Sequence, residues 1–342
     1  MKNKFILLLL ACSPFFAFSQ TTSDSASYFL QKGLEEKGKG RRLESLKHFE
    51  KAQKYDANNK AVITELASAY VDLRKYALAI ESYKKLVSLG DVSTVTYQQL
   101  MTLSFNFRKY DDVILYAGKL KQADPSAQTS FYLGKVYYDQ GNYGEAIKQL
   151  NVAIKEQPTN AEAPYMMARS YADMMNYKQS IPFFIKAIEL DTTKSNWIYE
   201  LGLIYYAIPD DKNALKYIQM AGDKGYRKDN EYLQNLATAY LNAGQFDKGI
   251  EMLTEILKNR PTDINVLNMI AEGYYDKGKW QQAMDYWDQI LGVDKQNASA
   301  LYMIGMCYQK KGEKAKGQQL CDKAIELDPS LASLKQKKQM MP

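Results

Sequence analysis

The sequence predicts an all-α fold, a solenoid of about nine tandem helix–turn–helix units, and three regularities predict it. A small residue followed three positions later by tyrosine recurs along the 342-residue chain. Its anchors are Gly33, Ala67, Met101, Gly134, Ala168, Gly202, Ala237, Ala271 and Gly305, in steps of 34, 34, 33, 34, 34, 35, 34 and 34 residues. A site motif occurs once and a packing motif recurs, so this period belongs to the fold. Apolar residues fall at helical spacing in two runs per unit, broken by a turn, as in "YLGKVYYDQGNY" and "GEAIKQLNVAIKEQP". Proline closes several units, at Pro125, Pro158, Pro261 and Pro329, where it cannot continue a helix.

The units run over residues 26–59, 60–93, 94–126, 127–160, 161–194, 195–229, 230–263, 264–297 and 298–331. In the first helix of each unit except the third, where it is Met101, the anchor is small so that a second backbone can approach. Three positions on stand Tyr70, Tyr137, Tyr171, Tyr205, Tyr240, Tyr274 and Tyr308, with Glu36 and Ser104 departing from the rule. The second helix supplies a further, mostly small residue twelve positions beyond the anchor: Ser45, Ala79, Val113, Ala146, Ser180, Ala214, Gly249, Ala283 and Gly317. Four residues later comes a mostly large one: Phe49, Tyr83, Ala117, Leu150, Phe184, Ile218, Leu253, Trp287 and Cys321. A single hairpin cannot bury its apolar face alone, so stability is expected from stacking neighbours. Most of the 27 tyrosines are therefore packing residues rather than ligand contacts.

These positions resemble the tetratricopeptide-repeat family, whose 34-residue unit carries the W-x2-L-G-x2-Y, A-x3-F and P signature. The resemblance covers Ser25 to Ser330. It implies one right-handed superhelical α-solenoid over residues 20–342, closed by a C-terminal capping helix at 332–342 within the polar segment "LASLKQKKQMMP".

Lys2 and Lys4 precede an apolar run, and Ala17-Phe18-Ser19 offers a small-residue cleavage site, so residues 1–19 read as a signal peptide too short to span a membrane. Cleavage after Ser19 predicts an exported protein, periplasmic or envelope-associated in a Gram-negative-type bacterium, with no transmembrane span in the mature chain. The competing route is lipidation of Cys12, since "LLAC" resembles a lipobox.

The formal net charge of +6 falls to +4 without Lys2 and Lys4, too little for the footprint of a nucleic-acid binder. The basic run "KGKGRR", Lys37 to Arg42, sits in the first turn and reads as solvated. Cys307 and Cys321 are expected as buried free thiols. The sole histidine, His48, lies on the second helix of the first unit among Lys and Glu residues, with no triad constellation around it, and the cysteines lack paired metal-ligand spacing. There is no phosphate loop, dinucleotide fingerprint or HExxH, so no enzyme activity, cofactor or metal is predicted.

What remains is a surface. In the family it resembles, the concave face is lined by the first helices at positions 2, 5, 9, 12 and 13 of each unit, counting the anchor as position 8. Carried over, these positions select Gln98, Thr102, Phe105 and Asn106, then Gln128, Phe131, Lys135, Tyr138 and Asp139. Further along they select Glu162, Tyr165, Arg169 and Asp173, then Asn196, Tyr199, Leu203 and Tyr206. The last of them are Gln234, Thr238, Leu241, Asn242, Asn268, Glu272, Tyr275 and Asp276. Tyr138, Tyr206 and Tyr275 each follow a packing tyrosine and so point about 100° away from it. A face of aromatics and amides suits a peptide or partner helix. The family's clamp for acidic chaperone tails is absent, because the early units present Leu30, Leu34, Thr64 and Ser68 where it needs Lys and Asn.

The expected role is a non-enzymatic protein-interaction scaffold. Its rivals are a structural subunit or assembly factor of an envelope secretion or surface-assembly machine, and carbohydrate or peptidoglycan binding. Degenerate end units also leave homo-oligomer formation open.

Overall fold

The computed structural model describes residues 22–333; the signal peptide, Cys12 and the end of the cap from residue 334 lie outside the described residues. Among the described residues the regular structure is helical throughout, with eighteen α-helices and one short 3-10 turn, Pro329–Leu331. Contacts divide the chain into two compact units, the first ending at Val136 and the second beginning at Tyr137.

The first unit holds α1 (Thr22–Gly38), α2 (Arg42–Tyr55), α3 (Lys60–Asp72), α4 (Tyr76–Ser88), α5 (Thr94–Asn106) and α6 (Tyr110–Ala123); the boundary falls inside α7 (Ser130–Asp139). The second unit continues with α8 (Tyr143–Glu156), α9 (Glu162–Asp173), α10 (Tyr177–Leu190), α11 (Ser195–Ala207) and α12 (Asp211–Asp223). It ends with α13 (Asn230–Asn242), α14 (Phe246–Asn259), α15 (Ile264–Asp276), α16 (Trp280–Val293), α17 (Ala298–Lys310) and α18 (Lys314–Leu327). Several first helices begin on a side chain that accepts from an otherwise unpaired N–H: Asn59 from Val62, Ser93 from Thr96, Asp263 from Val266, and Asn297 from Ala300.

Within a hairpin, the small anchor faces the large residue sixteen positions on. A Cβ on Gly33 would lie 2.3 Å from the Phe49 ring, and one on Gly202 would lie 2.7 Å from Ile218. The residue twelve positions beyond the anchor sits on the anchor's carbonyl. Ser45 Oγ donates to Gly33 O at 2.9 Å, and a Cβ on Gly249 would lie 2.9 Å from Ala237 O. The third hairpin inverts the sizes, with Met101 as anchor and Ala117 opposite, both buried in the first unit's core. A large side chain from one helix fills the room left by the small one on the other, which keeps the density that cores require.

Within each unit, stacking closes one hairpin on the next. In the first unit one continuous core joins Phe49, Ile63, Leu66, Leu86, Leu100 and Met101. In the second, Phe184 of α10 meets Leu201 of α11, Ile218 of α12 meets Tyr232 of α13, and Trp287 of α16 meets Ile304 of α17. The tyrosines three positions after the anchors are less buried than pure core. Tyr171, Tyr205 and Tyr274 stack on Phe183, Tyr217 and Tyr286 of their own hairpins, with ring centroids 5.7, 5.3 and 5.7 Å apart. Cys307 and Cys321 are buried and unpaired with each other, and burial pushes the Cys307 thiol up to about 12. It is an inert packing group.

The turn between the helices of a hairpin needs one left-handed residue. Glycine supplies it at Gly141 and Gly278 (φ 73° and 75°), whereas Arg74, Arg108 and Met175 adopt it at φ 58°, 53° and 59°. Met175 is 77 % exposed, so its side chain has little packing to lose. Met175→Gly is expected to stabilise the protein by about 0.5–1 kcal/mol, because relief of the Cβ strain outweighs the extra chain entropy. Urea unfolding of the two proteins side by side would show it, and a destabilised variant would mean that the Met175 side chain packs after all.

Candidate functional site: the face of the first helices

In the second unit, polar side chains on successive first helices bond laterally from one repeat to the next. Tyr138 donates its hydroxyl to Asp173 Oδ2 at 2.6 Å, a step of 35 residues, and Tyr165 donates to Glu200 Oε1 at 2.9 Å, again 35 residues on. Asn235 Nδ2 donates back to the Tyr199 hydroxyl at 2.7 Å, 36 residues away. These bonds tie α7 to α9, α9 to α11 and α11 to α13.

Arg169 lies among them. Its guanidinium is 5.4 Å from the centre of the Tyr138 ring, and its Nε is 4.0 Å from Glu200 Oε2. The Tyr165 ring stacks on Trp197 at 4.4 Å and meets Phe184 edge-on. Burial and the bonded carboxylates hold the Tyr138 and Tyr165 hydroxyls protonated far above ordinary pH, fixing both as donors. Burial raises the Glu200 carboxyl despite the Tyr165 bond and Arg169.

A second polar chain runs from the core to the surface at α15. The fully buried Trp287 donates its indole N–H to Asn268 Oδ1 at 2.9 Å, and Asn268 Nδ2 donates to Glu272 Oε1 at 2.9 Å. Tyr275 meets the Trp287 ring edge-on at 6.0 Å. Desolvation raises the carboxyls of Glu272 and Asp276, and for Glu272 the neighbouring Asp276 charge adds to it.

The positions carried over from the sequence thus divide. Tyr206 is 46 % exposed, and Asp139, Asp173, Asn242 and Asp276 are also exposed. Tyr138, Tyr165, Arg169, Asn268 and Tyr275 are half-buried and already engaged. Tyr199 is not an open groove residue: it is 5 % exposed, with its ring stacked on Tyr226 at 4.2 Å. In the first unit, Gln98 and Asn106 are exposed, while Thr102 and Phe105 are half-buried. There Lys135 Nζ stands 5.5 Å from the ring centres of both Phe105 and Phe131.

Glu200, Asn235 and Glu272 complete the lateral bonds and the α15 chain, yet the first two occupy a position the inward rule does not select. For Glu200 the available signal was a carboxylate within the apolar run of α11, 35 residues after Tyr165; Asn235, on the polar helix α13, carried no such signal. Among the described residues no group of three or more His, Cys, Asp or Glu could hold a metal ion, and no helix is long and apolar enough to cross a membrane. Chemically, the face offers oriented acceptors and aromatic area.

Tetratricopeptide-repeat models match residues 62–89 and 298–331, a further one matches 231–263, and the model for anaphase-promoting complex, cyclosome, subunit 3 matches 106–187. No curated protein matches the chain. Among solved structures it is similar to YrrB, a TPR protein with an unusual peptide-binding site, at 22 % identity and TM-score 0.42, covering 55 % of this chain and 97 % of that one. It is also similar to MamA at 23 % identity and TM-score 0.45, covering 51 % of this chain and 95 % of that one.

Proposed function

The chain is a tetratricopeptide-repeat protein, and from that premise we propose that it is a non-enzymatic interaction scaffold whose first-helix face binds a peptide segment or partner helix. The observation that carries this reading is the lateral bonding of Tyr138, Tyr165 and Asn235. Bonds of this kind fix the face before a partner arrives, so ordering side chains costs little on binding. Beside these fixed groups, Tyr206, Asn242 and Asp276 remain open to a partner. An aromatic ring with a polar tip flanked by amide and carboxylate supplies both area and hydrogen bonds.

Export rests on the sequence of residues 1–19, with Lys2 and Lys4 before the apolar run and Ala17-Phe18-Ser19 ahead of Gln20. The proposed setting is therefore a bacterial envelope or periplasm. The "LLAC" segment favours a second reading, in which Cys12 is lipidated and the repeats form a fixed subunit of an envelope assembly machine.

Co-purification under mild cross-linking, with a Tyr206→Ala, Asn242→Ala, Asp276→Ala variant alongside, tests the scaffold reading. All three side chains are exposed, so the variant is expected to keep its far-UV circular dichroism and melting temperature while losing at least about tenfold in partner recovery. Recovery unchanged by the variant would place binding elsewhere and favour the fixed-subunit reading, as would a lipidated Cys12 in the purified protein.

A further inference from the structure

We infer that the first-helix face formed by α9, α11, α13 and α15 takes an extended peptide segment carrying lysine or arginine side chains. This rests on the scaffold reading and specifies the partner. The charges on this face are lopsided. Helices α9, α11, α13 and α15 together carry six acidic residues, Glu162, Asp173, Glu200, Glu231, Glu272 and Asp276, against one basic residue, Arg169. The second helices that alternate with them, α10, α12, α14 and α16, carry eight acidic and six basic residues, close to balance. The chain as a whole is basic, at +6. Helix α17, the last of the first helices, carries Lys310 and no carboxylate, so the acidic strip ends at α15 and belongs to these four helices and not to the composition.

The lone cation does not neutralise the strip. Arg169 is held over the Tyr138 ring and beside Glu200, at one end of the series. At the other end, among the described residues, no lysine or arginine pairs with Glu272 or Asp276. Lys277, the nearest cation in sequence, pairs instead with Asp247 on α14. Glu272 is also held in place, because Asn268, itself fixed by the Trp287 indole, donates to it. An oriented carboxylate with part of its hydration removed and no counter-charge gains most from an arriving ammonium or guanidinium group.

The rings add to this preference. Tyr206 is exposed between the two acidic ends, and Tyr275 lies beside Asp276. A cation over a tyrosine face is stabilised by the ring's quadrupole, and the methylene stems of lysine or arginine cover the ring itself. An acidic segment would meet six carboxylates with one arginine to offset them. The same face would repel it.

Fluorescence anisotropy on the full mature chain tests this with two labelled synthetic peptides of one length, one alternating lysine with serine and the other alternating glutamate with serine. The lysine peptide is expected to bind at low salt and weaken as salt rises, and the glutamate peptide not to bind. A Glu272→Gln, Asp276→Asn variant is expected to weaken the lysine peptide about tenfold or more. A Glu189→Gln, Glu251→Gln variant on the exposed surface of α10 and α14 removes the same charge and is expected to change it by less than about twofold. Equal losses in the two variants, equal binding of the two peptides, or no binding of the lysine peptide would each overturn the inference. If the lysine peptide fails while partner recovery still depends on Tyr206 and Asn242, the face remains the binding site and only its charge preference falls.

Discussion

Truncating Trp287 to alanine is expected to cost about 4 kcal/mol of folding stability, and replacing it by phenylalanine about 1–2 kcal/mol. The indole is fully buried at the large position facing Ala271, in the core that joins Leu267 of α15, Ile290 of α16 and Ile304 of α17. Its removal leaves a cavity that three helices can only partly fill. Phenylalanine keeps most of the volume but loses the N–H that Asn268 accepts at 2.9 Å. Asn268 is half-buried, so water can replace part of that bond. In a repeat array each hairpin is stabilised by its neighbours, so lost amide protection should centre on α15 to α17 and decay along the chain. Hydrogen exchange read by mass spectrometry would show this, and a uniform loss from α8 to α18 would contradict it. The phenylalanine variant also examines the α15 chain of bonds. If Trp287 orients Glu272 through Asn268, a folded Trp287→Phe protein should bind the lysine peptide more weakly than the native one.

The helical hairpins were legible because the signal is repeated: Gly33 opposite Phe49 and Gly202 opposite Ile218 are the same contact 169 residues apart in the sequence. Even the inversion at Met101 and Ala117 could be seen as a paired departure from the period. The openness of the face was less legible. Tyr199 occupies an inward position by count, but the loop after α12, residues 224–229, brings Tyr226 against its ring. The 35-residue step between Gly202 and Ala237 marks that longer unit without saying where its extra residue would fold. Glu200 and Asn235 escaped because an average rule of inward positions does not know which tyrosine in the preceding repeat can reach them. Such pairings depend on how neighbouring helices are placed, and one unit read alone does not contain them.

Gly305→Ala and Gly317→Ala carry the other large expected effect, and they should not add. An added Cβ on Gly305 would lie 2.7 Å from Cys321 Sγ, 2.8 Å from Gly317 O and 3.0 Å from Cys321 N. One on Gly317 would lie 2.5 Å from Gly305 O and 2.9 Å from Gln309 N. Most of these neighbours are backbone atoms, which cannot turn aside as a side chain can, so α17 and α18 must separate to admit either methyl group. Each substitution is expected to cost about 2–3 kcal/mol, the upper part of the range for overpacking. The first one opens the crossing and thereby makes room for the second. The double variant should therefore lie at least about 1 kcal/mol short of the summed single costs, as coupled contacts do. Strict additivity would mean that each methyl is accommodated by its own local shift. Glycine at these two positions would then not be required by the approach of two backbones, and the small-residue rule that organises the repeats would fail in the last hairpin.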